Sequence, residues 1–219
     1  MVEADFWSPI RLSIEIAAVS SAVVLLVGIG LGRMMANARF KGKAVVETLF
    51  LLPLVLPPTV VGFLLIVLFG RSSPAGKAIE WIFQQPIIFT WWAAVTAAII
   101  VAFPLMYQSA KTGFEAIDHD IEQAARVDGA GEWKVFLYVS IPLALKAIVS
   151  GGILSFARAL GEFGATFMFA GNIPGRTQTA PIAIYMAMDS GNMGLAWLWV
   201  ACMIGISIIM LVCVNLIKS

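Results

Sequence analysis

The residues best suited to chemistry in this chain are arranged for docking rather than for making bonds. Gln123-Ala124-Ala125-Arg126-Val127-Asp128-Gly129, followed after nine residues by Val139-Ser140-Ile141-Pro142, is a charged stretch between segments built for lipid. Ile117, Ile121, Ala124 and Ala125 recur at helical spacing while Glu115, Asp118, Glu122 and Arg126 fall on other faces, which predicts a short amphipathic helix. Gly129 can end it in a left-handed conformation that a side chain resists. Beyond Ala130, Gly131 and Glu132, a second helix opens with Trp133 and Phe136 offering an apolar contact. A helix, a sharp turn and a second helix with an apolar ridge suit a groove on another protein. An element resting on lipid headgroups would be rich in Lys or Arg. Here Glu115 to Lys134 holds six acidic and two basic side chains, which anionic lipid repels.

Two further blocks could line a path. Ser155-Phe156-Ala157-Arg158-Ala159-Leu160-Gly161-Glu162-Phe163-Gly164-Ala165-Thr166 sets ionisable residues in or beside an apolar segment. Charges there are costly and tend to face a bundle interior or an aqueous cavity, so Arg158 and Glu162, with Gly161 and Gly164, are candidates for a translocation path or gate. Their i,i+4 spacing equally permits an ion pair that makes a buried arginine tolerable. An arginine so neutralised holds an anion weakly, as suits a conduit. Within Leu51 to Gly62, Pro57 and Pro58 remove backbone donors and are expected to bend or break their helix. That would free carbonyls for a water-filled path, serve packing, or do both.

Enzymatic chemistry finds no footing. Neither Gly42-Lys43 nor Gly76-Lys77 completes a phosphate-cradling Gly-x-x-x-x-Gly-Lys-Ser/Thr loop. The one histidine, His119, has no His or Cys near it in sequence and reads as a solvated residue rather than a metal ligand or base. No Ser/His pair, paired Asp or zinc motif lies within the apolar segments, so the expectation is no catalytic residue and no metal.

The elements that must position these residues are membrane helices. The chain has 219 residues, 60% hydrophobic and 12% charged, outside the soluble range and within that of polytopic membrane proteins. A net charge of +1 and the lack of basic runs interleaved with aromatics give no hint of nucleic acid. Five apolar segments are expected to span: about 10–35, 45–69, 87–110, 141–163 and 195–217. A sixth, Thr179 to Met188, is too short to cross alone and could be a surface helix, a re-entrant element or the start of another span. The expected fold is therefore an all-α polytopic bundle forming one domain over 1–219, with the docking loop at 111–138.

Orientation follows from loop charge. Arg33, Arg39, Lys41 and Lys43 follow the first span and Lys111, Arg126, Lys134 and Lys146 the third, whereas alternate connections hold only Arg71, Lys77 and Arg176. The positive-inside rule puts the N-terminus outside, and the docking loop and the C-terminus near Lys218 in the cytoplasm. Glu3 and Asp5, with no Lys or Arg before Pro9, carry the wrong charge for a cleavable signal, so the first segment reads as an uncleaved span. Cys202 and Cys213 are about 16 Å apart along a helix, too far to pair with each other, and read as packing residues. Gly28 and Gly32 form a small-xxx-small face suited to helix association, or else a loosely packed end. Gly151-Gly152 could be a contact face or a hinge.

The loop pattern resembles the cytoplasmic signature of binding-protein-dependent ABC importer permeases, Glu-Ala-Ala, three residues, Gly, nine residues, Ile-x-Leu-Pro. Ala124, Ala125, Gly129 and Pro142 match; Gln123, Val139 and Ile141 stand where that family usually has Glu, Ile and Leu. The resemblance implies a type I ABC importer permease whose loop forms coupling helices seated in a cleft of an ATPase subunit. Glu122, Gln123, Ala124, Ala125, Arg126, Gly129 and Trp133 would serve that coupling. Leu-Pro-Leu-Val-Leu-Pro-Pro, Gly-Glu-Phe-Gly-Ala-Thr and Gly171-Asn172-Ile173-Pro174-Gly175 look like the molybdate branch of oxyanion permeases, over about Lys41 to Tyr185. That implies a homodimer in a bacterial or archaeal cytoplasmic membrane, two ATPase copies, and an extracytoplasmic binding protein presenting molybdate or tungstate. ATP and Mg would sit on the ATPase, with no cofactor on this chain. A sulfate or thiosulfate permease, or a membrane scaffold with a non-ATPase partner, are the alternatives.

Overall fold

The computed structural model describes the backbone of residues 2–218 and the side chains of residues 6–212 and 216; the described residues form helices and loops with no strand. The expectations placed on Glu3, Asp5, Cys213 and Lys218 concern side chains outside the described residues. Cys202 is half-buried.

Three helices make the centre: α1 (Val2–Asn37), α5 (Trp91–Glu115) and α8 (Ile141–Leu160). Lipid tails are as apolar as leucine, so membrane helices associate through close packing, and small residues permit it. Ala93, Ala94, Ala97, Ala98, Ala102 and Ala110 of α5 are all buried. A Cβ on Gly28 would come within 2.6 Å of Met106, and one on Gly32 within 2.9 Å of Ala110. These registers rise together, so α1 runs parallel to α5. Gly113 meets Ala147, and a Cβ on Gly151 would come within 2.5 Å of Ser109, so α8 runs antiparallel to α5. Both glycine faces are thus contact faces within the chain rather than hinges or loose ends.

The segment expected to span over 45–69 is instead two helices, α2 (Lys43–Val55) and α3 (Pro58–Phe69), bent by 116°. Leu56 precedes a proline and is extended at φ −67°, ψ 141°, because the pyrrolidine ring disfavours helical geometry in the residue before it. Pro57 and Pro58 then start α3, where a missing N–H costs nothing. At 13 and 12 residues, neither half alone reaches the about 20 residues a bilayer core demands.

α4 (Pro74–Phe83) leads to α5, and α6 (His119–Val127) and α7 (Glu132–Val135) follow it. A π-helical turn, Phe136–Ser140, joins α7 to α8 without a break, so the span expected to begin at Ile141 starts at Glu132. It ends at Leu160, short of Phe163, and α9 (Gly164–Ala170) follows. The sixth apolar segment is α10 (Ala180–Asp189), too short to cross. It is lodged between α1 and α11 (Met193–Lys218): the Ala180 N–H donates to Ser13 Oγ at 2.8 Å, and Ala183 and Ala187 share a buried cluster with Ile10 and Trp199. Among the described residues, four helices are long and apolar enough to cross a membrane, five if the bent pair counts as one span.

Candidate functional site

The loop after α5 is a built element. Asp118 caps α6, its Oδ1 accepting from the Asp120 N–H at 3.0 Å. Asp120 and Glu122 in the first turn and Arg126 in the last match the helix dipole. Gly129 has φ +88°; the Ala130 N–H donates to the Ala125 carbonyl and the Gly129 N–H to the Arg126 carbonyl, both at 3.0 Å. This is the paired arrangement that closes a helix on a left-handed residue. Arg126 then spans the turn to Glu132, Nε to Oε1 at 2.6 Å and Nη2 to Oε2 at 3.2 Å.

Glu122 corrects the expected amphipathicity. It was expected on a polar face away from the apolar ridge, yet it is 2% exposed and points into the bundle. Arg33, near the end of α1, meets it with Nη1 on Oε1 at 2.8 Å and Nη2 on Oε2 at 3.0 Å. Ser140 Oγ donates to Oε1 at 2.6 Å, and Arg126 Nη2 lies 3.6 Å from Oε2. Burial pushes the Glu122 carboxyl pKa up. Hydrogen bonds from Arg33 and Ser140, with the charges of Arg33 and Arg126, outweigh that and hold it below the ordinary carboxylate value.

The apolar ridge is correspondingly split. Ile117 packs against the core, while Ile121 and Ala124 face outward and Ala125 is half-buried. Val127 is 86% exposed and Trp133 77%, with Trp133 edge-on to Phe136, 6.1 Å between ring centroids. Gln123 and His119 are also exposed. The element thus turns its acid inward and its apolar side chains outward, the reverse of a helix laid on its own core.

The two path motifs meet each other. Arg158 Nη1 contacts Glu162 Oε2 at 2.6 Å, and Glu162 Oε1 accepts from the Ala165 N–H at 2.8 Å, so one carboxylate neutralises α8's arginine and caps the start of α9. Glu162 is 2% exposed, while the Arg158 side chain keeps 29% exposure. A Cβ on Gly164 would lie 2.9 Å from Pro58 Cβ, and one on Gly62 would lie 2.6 Å from Met168 Cβ, so α3 and α9 touch through Gly62 and Gly164. Gly161 ends α8 with no such crowding. Among the described residues, no three His, Cys, Asp or Glu side chains converge on a metal position.

Arg33 and Ser140 escaped the sequence reading as partners of Glu122. Arg33 counts with Arg39, Lys41 and Lys43 as loop charge; its one separate signal is that it precedes Met34 and Met35, inside the first apolar segment. Ser140 sits unremarked between Val139 and Ile141. A second tie also went unread: Glu47 at the start of α2 pairs with Lys111 near the end of α5 at 2.7 Å.

The profile of a family described as "Binding-protein-dependent transport system inner membrane component" matches residues 28–219. The chain belongs to this family. Membership makes it the inner-membrane component of a binding-protein-dependent transport system, and not itself an enzyme. It is 64% identical over 207 residues to YvgM of Bacillus subtilis (strain 168), provisionally named a molybdenum transport system permease protein, covering 94% of this chain and 91% of that one. It is 41% identical to the molybdenum transport system permease protein ModB of Escherichia coli (strain K12), covering 94% and 89%. The sulfate transport system permease protein CysW of Synechococcus elongatus is 31% identical, covering 96% and 73%. Among solved structures, a bacterial alginate ABC transporter matches with TM-score 0.75 at 14% identity, covering 96% of this chain and 77% of that one. The MetNI methionine ABC transporter, in inward-facing conformations, matches with TM-score 0.71 at 16% identity, covering 100% and 94%. The fold of this family member is therefore that of an ABC importer permease.

Proposed function

We propose that this permease imports molybdate or tungstate, handed over by an extracytoplasmic binding protein and driven by a separate ATPase. The observation that carries the cargo is graded similarity: 64% and 41% identity to two molybdenum permeases, each over 94% of the chain, against 31% to a sulfate permease. Two copies of this chain form the path and two ATPase subunits drive it. ATP and Mg sit on the ATPases and no cofactor on this chain. The N-terminus lies outside, with α6, α7 and the C-terminus in the cytoplasm, as loop charge directs. Gln123, Ala124 and Trp133, with the exposed Ile121 and Val127, enter a groove on the ATPase. Arg126 and Gly129 hold the turn that presents them.

Arg158 and Glu162, with Pro57, Pro58, Gly161 and Gly164, belong to the path or its gate. The paired arginine offers a passing oxyanion a weak attraction rather than a trap. Their location in the bundle and the contact between α3 and α9 support this reading. The test is ATP hydrolysis by the complex reconstituted in liposomes with binding protein loaded with molybdate, tungstate or sulfate. Stimulation by molybdate or tungstate and not by sulfate is expected; stimulation by sulfate alone overturns the cargo.

A further inference from the structure

We infer that Arg33 is a positioning residue that fastens the first span to the docking element, so that α1, α5, α8 and α6 move as one body when the ATPases close. This rests on the coupling role proposed above. The chain already joins α6 to α5 on one side and, through α7 and the π turn, to α8 on the other. α1 has no such connection, because it leads away into α2. Its link to the docking helix is the Glu122 carboxylate, held by both Arg33 nitrogens at 2.8 and 3.0 Å and by Ser140 Oγ at 2.6 Å.

Three features make this a tie rather than an incidental pair. A planar guanidinium gripping both carboxylate oxygens fixes orientation as well as distance, which a lysine cannot do. The Arg33 Cζ also lies 5.6 Å over the ring of Phe114, which pins the same side chain to α5. The π turn, with the Ile141 N–H reaching back five residues to the Phe136 carbonyl, stands where Ser140 joins the cluster, and such turns recur at functional positions. Above the cluster, Gly28 and Gly32 leave α1 no room to slide on α5. Glu122, almost fully buried, is an internal anchor, whereas the exposed Val127 and Trp133 are free to meet a partner.

The experiment uses the full complex of permease, ATPase and binding protein in liposomes. Spin labels at Asn37→Cys and Asp120→Cys, both exposed positions, are placed in a Cys202→Ser, Cys213→Ser background. The distance between them is read by pulsed dipolar resonance in nucleotide-free and vanadate-trapped states. With labelled permease diluted by unlabelled copies so that only the distance within one subunit is read, the tie predicts one narrow distribution at the same distance in both states, broadened in Arg33→Gln. Uptake per ATP hydrolysed should fall about tenfold in Arg33→Gln and in Glu122→Gln while the ATPase still co-purifies, and no further in the double variant. Arg33→Lys should recover part of the loss. A label distance that shifts between states without Arg33 being altered overturns the tie and needs no variant of the pair to fold. Normal uptake per ATP in Arg33→Gln overturns it as well. Failure of the unaltered permease to co-purify with the ATPase overturns the coupling role itself, an outcome distinguishable from the other two.

Discussion

Arg33 and Glu122 stand 89 residues apart in sequence and meet as a two-pronged ion pair at the foot of the bundle. One consequence is a defined acid sensitivity. The folded-state carboxyl of Glu122 titrates below its ordinary value, so its contribution to stability is complete above the unfolded value of about 4.3 and is lost as pH falls through the depressed folded one. Glu122→Gln should therefore lower the melting temperature in detergent at pH 7 and narrow the gap between pH 7 and pH 4. Parallel melting curves for the two proteins across that range would remove Glu122 as the source.

Gly129 gives a graded test of the docking turn. At φ +88° with nothing near its missing Cβ, the strain of a substitution is purely backbone. Asn tolerates this region best, Ala costs about 1 kcal/mol, and β-branched Val costs more. Uptake should fall in the order Gly129, Asn, Ala, Val while membrane levels hold, and Gly129→Asp, which adds a negative charge beside Asp128 at the exposed turn, should also uncouple. Uptake at the level of the unaltered protein in Gly129→Asp or Gly129→Val, at normal expression, would dissociate the turn from coupling.

The contact between α3 and α9 separates two glycines of one motif. Gly164→Ala drives a methyl to 2.9 Å from Pro58 Cβ, whereas a methyl on Gly161 has its nearest neighbour at 3.6 Å. Overpacking typically costs about 1–3 kcal/mol. Gly164→Ala should lower both thermal stability and uptake, and Gly161→Ala should leave stability unchanged. Equal effects in a detergent melt would show that the α3–α9 contact is not tight.

Much of this was legible in the sequence, because hydropathy and turn chemistry are local. The four long spans, the left-handed Gly129 and the i,i+4 Arg158–Glu162 pair each depend on neighbours within a few residues. The break at Pro57 was also legible, but its size was not, since two prolines reveal a lost donor and not a 116° angle. The face of Glu122 was misread for a physical reason. Helical periodicity sorts acids from apolar residues and assumes that acids seek water, but an arginine from another helix reverses that preference. Arg33 and Ser140 reach Glu122 only through tertiary packing, which no spacing encodes.

The Arg158–Glu162 pair gives the last prediction. Glu162 does two things with two oxygens: one meets Arg158 at 2.6 Å, the other takes the Ala165 N–H at 2.8 Å. Glutamine at 162 keeps an acceptor for the cap and loses the charge; alanine loses both, and an orphaned capping donor costs about 1 kcal/mol more. Glu162→Ala should therefore melt below Glu162→Gln. Arg158→Gln and Glu162→Gln should each impair molybdate uptake, and the double variant should lose less than their sum, because each single change leaves its partner charge unpaired in a low-dielectric setting. Uptake and melting temperature measured across all four proteins close the cycle, and strictly additive losses would mean that the two charges act on the passing anion independently of each other.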